Sequence, residues 1–163
     1  MIGIFEEVYD RYKKLIFNYF YRCTSNIHTA EELTQDTFLK AFKYFGSFRG
    51  ESSVKTWLFK IARNVFIDYS KKNRFQEVDI EKHQIGDRGG IPRVDEKALI
   101  MKTLNHLTEV QREIIILRDI NGFSYKEIAQ ITGCTEGQVK IGLHRARKRF
   151  REIYYIENGE GEK

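Results

Sequence analysis

Residues 124–150, SYKEIAQITGCTEGQVKIGLHRARKRF, leave the chain few choices of local fold. Ser124 with Glu127, and Thr135 with Gln138, have the spacing of capping boxes, in which a hydroxyl and a carboxylate or amide satisfy the orphan N–H groups at a helix start. Two helix starts so close together leave room for one short helix between them. Gly133 falls in the gap and can take the positive φ of a tight turn. Ala129 offers a small side chain where two helices cross, and Val139 gives the second helix an apolar anchor on its inner face. The pattern predicts a helix, a turn and a second helix, a plan that usually lays its second helix in the DNA major groove. An ordinary helical hairpin in a bundle satisfies the same spacing.

The outer face of the second helix favours DNA. Between Thr135 and Tyr155 stand six cations, Lys140, Arg145, Arg147, Lys148, Arg149 and Arg151, against two anions, Glu136 and Glu152. The whole chain carries a formal charge of +5. Phosphate binding needs such a stripe, because each neutralised phosphate releases counterions.

A chain of 163 residues with 41% hydrophobic content can build one larger domain or two small helical ones. No apolar run approaches the roughly 20 residues that span a bilayer. The first residues, MIGIFEEVYDRYKK, are acidic and amphipathic, unlike a secretory signal. Cys23 and Cys134 are far apart and have no CxxC partner, so neither a disulfide nor a zinc framework is expected and a reducing cytoplasm is the expected compartment. The four histidines, His28, His83, His106 and His144, form no metal-binding pair, and a structural or solvent-facing role is expected of each. No metal and no cofactor are expected.

Nearly every readable segment is helical. Phe5, Val8, Tyr9, Tyr12, Leu15, Ile16 and Tyr19 recur at helical spacing. Thr29 and Glu32 have capping-box spacing and predict a helix from there to about Tyr44, stopped by Gly46. Ala30, Leu33, Thr37, Ala41 and Tyr44 trace one face of it, while Phe38, Leu39, Phe42 and Phe45 widen the apolar surface, as a wide core or a docking face would. After the polar loop GSFRGESS, the stripe Val54, Trp57, Leu58, Ile61, Ala62, Val65 and Tyr69 predicts another helix. Its other side carries Lys55, Lys60, Arg63 and Asn64, with Phe48, Trp57, Phe59 and Phe66 nearby. Cations beside aromatic rings suit single-stranded nucleic acid, whose bases stack on rings, although Trp57 also lies on the core stripe. Residues 75–94 have no sustained period and hold the only proline, Pro92. They predict a flexible linker between two domains. Beyond it, a helix is expected around Ala98 to Leu107, and Thr108 with Gln111 starts another that Gly122 ends. The expected fold is all-α: a domain over 1–74, the linker over 75–94, a helix-turn-helix domain over 95–156 and an acidic tail over 157–163.

Two stretches together carry a family resemblance. AEELTQDTFLKAFKYFGSFRGESSVKTWLFKIARNVFIDY, from Ala30 to Tyr69, and LTEVQREIIILRDINGFSYKEIAQITGCTEGQVKIGLHRARKRF, from Leu107 to Phe150, resemble the extracytoplasmic-function (ECF) sigma factors of bacterial RNA polymerase. They cover about half of the chain, in the family's order and separation. A helix-turn-helix alone is shared by many regulators; its pairing with FRGES and TWLFKIARN is specific.

The resemblance assigns work to positions. Gln35, Asp36, Phe38, Leu39 and Phe42 would dock on the clamp helices of the polymerase β′ subunit. Phe48, Arg49, Ser52, Ser53, Lys55, Lys60, Arg63 and Asn64 would open the −10 element and hold its non-template strand. Thr135, Glu136, Gln138, Lys140, His144, Arg145 and Lys148 would meet the −35 element, with the helix N-terminus holding a phosphate. Where many members have a Ser-Arg pair, this chain has Ile141-Gly142, which places a glycine in the reading face. The implied partners are polymerase core, promoter DNA and an anti-sigma factor, commonly membrane-bound, with no small-molecule substrate. Two rivals remain: a helix-turn-helix regulator acting without polymerase core, which leaves FRGESSVKTWLFKIARN unused, and an enzyme, against which Asp36, Asp68 and Asp119 are scattered and no nucleophile–base pair is evident.

Overall fold

The computed structural model describes residues 2–74 and 95–159. The expected linker and residues 160–163 of the expected tail lie outside them. The described residues are almost entirely helical, as expected of an all-α chain.

Helix α1, Ile2–Thr24, buries Phe5, Ile16, Tyr19, Phe20 and Cys23 at helical spacing. It packs against α2, Ile27–Tyr44. The start of α2 differs from the sequence expectation: Asn26 is the cap, and its side chain accepts the Thr29 N–H at 3.0 Å. Thr29 is therefore the third residue of the first turn rather than the cap. Ser25, at φ +53°, turns the chain just before it. After a 3-10 turn, Phe45–Ser47, and a polar loop, α3 runs Val54–Arg74. The Ser53 hydroxyl accepts the Thr56 N–H at 3.1 Å and so caps α3.

Helix α4, Glu96–Asn105, is capped by Asp95, and α5, Glu109–Ile115, by the complete Thr108–Gln111 box. A π turn, Ile116–Ile120, continues α5, and Gly122 at φ +72° ends it. Helix α6, Tyr125–Thr132, and α7, Glu136–Glu157, start with the expected boxes. Between them Gly133 sits at φ +73° and donates its N–H to the Ala129 carbonyl. Ile128, Ile131, Val139, Leu143 and Ala146 are buried where these helices pack on their neighbours.

The helices before residue 75 and after residue 94 share one apolar core. Leu58, Phe59 and Ala62 of α3 join Ile116, Leu117, Phe123 and Ile128 in a single cluster. Phe123 packs edge-on against Phe59 with ring centroids 4.9 Å apart. A smaller cluster of Leu104, Leu107, Ile115, Ala146 and Ile153 ties α4 and α5 to α7.

Candidate nucleic-acid interface

The helix-turn-helix presents a rigid cationic face. Burial of Val139, Leu143 and Ala146 fixes the rotation of α7. Thr135, Glu136, Gln138, Lys140, His144, Arg145 and Lys148 are all exposed. Two of them also hold the helix start: the Thr135 hydroxyl accepts the Gln138 N–H at 3.1 Å, and the Gln138 side chain accepts the Thr135 N–H at 2.9 Å. Two of the six cations counted on this helix are engaged. Arg147 forms a two-pronged pair with Asp119, its Nε at 3.0 Å, and Arg149 meets Glu152 at 3.3 Å. Among the described residues no ion pair engages Lys140, Arg145 or Lys148. Gly142 corrects the sequence reading. A Cβ added there would stand 3.3 Å from Ile114 Cδ1, so Gly142 seats α7 against α5 and is not part of the reading face.

The loop before α3 frames a cavity of about 350 Å³ lined by Ser47, Phe48, Arg49, Glu51, Ser52, Thr56, Trp57, Lys60 and Gln130. Trp57 supports its wall, with its ring 5.1 Å from that of Phe48. The indole is half-buried and belongs both to the core margin and to the cavity. Ser53, a sequence candidate for DNA contact, spends its hydroxyl on capping α3. Phe59 is fully buried between Tyr19 and Phe123, so it is no stacking platform in this arrangement. Lys60, Asn64 and Arg49 are exposed.

Lys55 and Arg63 are held by residues of the stretch 95–159. Lys55 donates to the Asn121 carbonyl at 2.9 Å and lies 4.6 Å above the centre of the Phe123 ring. Arg63 donates to Glu113 across a pair in which both side chains are less than a quarter exposed. Burial pushes the Glu113 carboxyl above its ordinary range, and the guanidinium offsets only part of that. Gln130 of α6 closes one side of the loop cavity. Sequence reasoning missed Glu113, Asn121, Phe123 and Gln130 as neighbours of this surface, and no local signal marks them.

On α2, Leu39 is 68% and Phe42 56% exposed, and Gln35 and Asp36 lie on the same open side. Phe38 is a correction to the expected docking set: it is buried, with its ring 4.9 Å from that of Tyr9. Cys23 is buried, and burial pushes its thiol up to about 12, whereas Cys134 is exposed. No group of three or more metal-ligating side chains occurs among the described residues. No described helix is long and apolar enough to cross a membrane.

Residues 8–76 match the family described as Sigma-70 region 2, and residues 97–150 that described as Sigma-70, region 4. The RNA polymerase sigma factor YlaC of Bacillus subtilis is 35% identical over 150 residues, which are 87% of each chain. The ECF RNA polymerase sigma factor SigM of the same organism is 32% identical over 155 residues, 91% of this chain and 94% of its own. The solved structure of the sigma factor RpoE in complex with the anti-sigma factor NepR, from Bartonella quintana, superposes with a TM-score of 0.77 at 33% identity, covering 93% of this chain and 97% of that one.

Proposed function

We infer the working parts of this chain from its family: it belongs to the extracytoplasmic-function sigma factors, which direct bacterial RNA polymerase to chosen promoters. The domain over 1–74 docks on the β′ clamp helices through Gln35, Asp36, Leu39 and Phe42, with Phe38 supporting that face from beneath. The loop cavity receives a base of the −10 element, and Arg49, Ser52, Lys55, Lys60, Arg63 and Asn64 hold the strand beside it. The domain over 95–156 lays α7 in the −35 major groove. One observation carries this reading: the same chain presents both a cationic recognition helix and a basic, aromatic-walled cavity ahead of a second helix.

Opening the promoter requires no catalytic group in this chain. The cavity must bind an extruded base well enough to offset an unstacking cost of a few kcal/mol. RNA synthesis belongs to the polymerase, and the protein acts beside it in the cytoplasm. In the packed arrangement Lys55 and Arg63 are already occupied. The strand therefore reaches them only after α5, the π turn and α6 move away from α3, and docking of both domains on polymerase core supplies that separation. An anti-sigma factor is the expected antagonist, because the RpoE relative, similar over nearly the whole chain, was solved with one.

The test is in vitro transcription with core polymerase on a genomic promoter library. Transcripts should start downstream of a shared pair of elements and require this protein. Selective duplex binding without core, and no transcript with it, would favour the helix-turn-helix regulator instead.

A further inference from the structure

Ile141 stands at the centre of the outward face of α7. At about 100° per residue it lies about 160° from both Val139 and Leu143, which are buried. It is 55% exposed, beside Lys140 and one turn before the exposed Arg145. One turn earlier, Gly137 contributes no side chain, and a Cβ added there would meet only the Thr135 hydroxyl, at 3.9 Å. Gly142 keeps α7 tight on Ile114, so the backbone rotation that points Ile141 outward is fixed by packing on the opposite side. A β-branched aliphatic side chain is a poor choice for a solvated helix position, where lysine or glutamine favours the helix more. Among the described residues no side chain covers it.

The DNA major groove offers one apolar feature to such a side chain, the thymine 5-methyl group. Every other group on the base edges there is a hydrogen-bond donor or acceptor, or a C–H. We propose that Ile141 reads the methyl group of one thymine in the −35 element and so sets preference at that base pair. Lys140 and Arg145 flank it and supply the polar and phosphate contacts that Ile141 cannot. The inference rests on α7 occupying the −35 major groove.

The experiment uses holoenzyme and a pool of promoter duplexes randomised across the −35 region. In the selected duplex each thymine is then replaced singly by deoxyuridine, which removes the methyl group and leaves pairing intact. One replacement should weaken wild-type binding about fourfold, the factor for one buried methyl-sized group. Ile141→Ser should abolish that penalty and relax selection at the same base pair, leaving the other positions unchanged. Ile141→Val should keep most of it. Circular dichroism guards against loss of α7, and both substitutions lie on an exposed position. Three results overturn the inference: a selected element without thymine, deoxyuridine replacements that are all neutral, or a penalty undiminished in Ile141→Ser. Failure to select any −35 sequence would instead remove the placement of α7 on which the inference rests.

Discussion

Replacing Glu113 by glutamine perturbs the contact between the two domains with the least change of shape. Glutamine keeps an acceptor for the Arg63 guanidinium but removes the charge. The pair is partly buried, with side chains 22% and 17% exposed. Breaking a fully buried pair costs about 3–5 kcal/mol, because one charge is left uncompensated. Here Arg63 retains some solvent and glutamine still accepts a hydrogen bond, while the desolvation cost that raises the Glu113 carboxyl disappears. Because desolvation outweighs the pairing at this carboxyl, removing the charge strengthens the contact, and on the order of 1 kcal/mol gives a roughly fivefold loss of the separated form. In the proposed masking the separated form is the minor one and alone binds the strand, so apparent affinity falls by the same factor. The assay is binding of a −10 non-template single strand to the protein without polymerase. Glu113→Gln should bind about fivefold more weakly than wild type. A second perturbation is a cross-link. The Ser25 hydroxyl lies 2.9 Å from the Asn105 side-chain oxygen across the same contact. In a Cys23→Ala, Cys134→Ser background, Ser25→Cys with Asn105→Cys should form a disulfide, lose strand binding when oxidised and regain it when reduced. Equal binding by the oxidised and reduced forms, or no disulfide at all, would refute the masking of Lys55 and Arg63.

Four further outcomes are expected. Asp36→Arg with Leu39→Asp should reduce co-purification with polymerase core while leaving helical content unchanged; undiminished co-purification would move the dock elsewhere. Arg145→Ala should cost about 1–3 kcal/mol of promoter binding and relax −35 preference, whereas Lys148→Ala should weaken binding evenly and flatten its salt dependence, which binding curves across a salt series will separate. Glutamate at Arg49 and Ser52 should spare core binding but sharply reduce open-complex formation, with partial rescue on a template unpaired at −10; normal permanganate reactivity on duplex DNA would sink the cavity's role. The raised Glu113 carboxyl means that folding takes up a proton there, so its contribution to stability is fully present at low pH and is lost as pH rises through the raised value. The difference in Tm between wild type and Glu113→Gln should therefore shift in that direction across a pH series.

The parts of the fold that were legible in sequence are those written in local spacing. Three capping boxes and two turn glycines were readable because each is a contact between residues no more than a turn apart. Local spacing also misled. Thr29 and Glu32 have the separation of a box, yet Asn26, lacking Glu or Gln three residues on, is the cap that forms. Ser53 was read as a DNA contact because it borders the loop, and its hydroxyl is used one turn away instead. Phe38 belonged to an apolar surplus on α2 whose outer limit depends on where Tyr9 of α1 falls. Gly142 was assigned outward from its place in a family pattern, although its neighbour Ile114 lies on another helix.

What no local pattern encodes is the covering of one domain by the other. Lys55 and Asn121 are 66 residues apart, and Arg63 and Glu113 are 50 apart. Periodicity marks the apolar stripe of α3 but not the ring that will cover it. That ring is Phe123, which is 2% exposed and contacts the same helix whose cations face DNA in the proposed open complex. Exposing one such side chain costs about 1.5–3 kcal/mol. The shared core and the buried pair add to that cost, so the separated form is scarce unless a partner holds it. Polymerase core contacts both domains in the proposed assembly and is the partner able to offset the cost. In that assembly polymerase strengthens strand capture by the α3 surface, although Lys55 and Arg63 themselves belong to this chain.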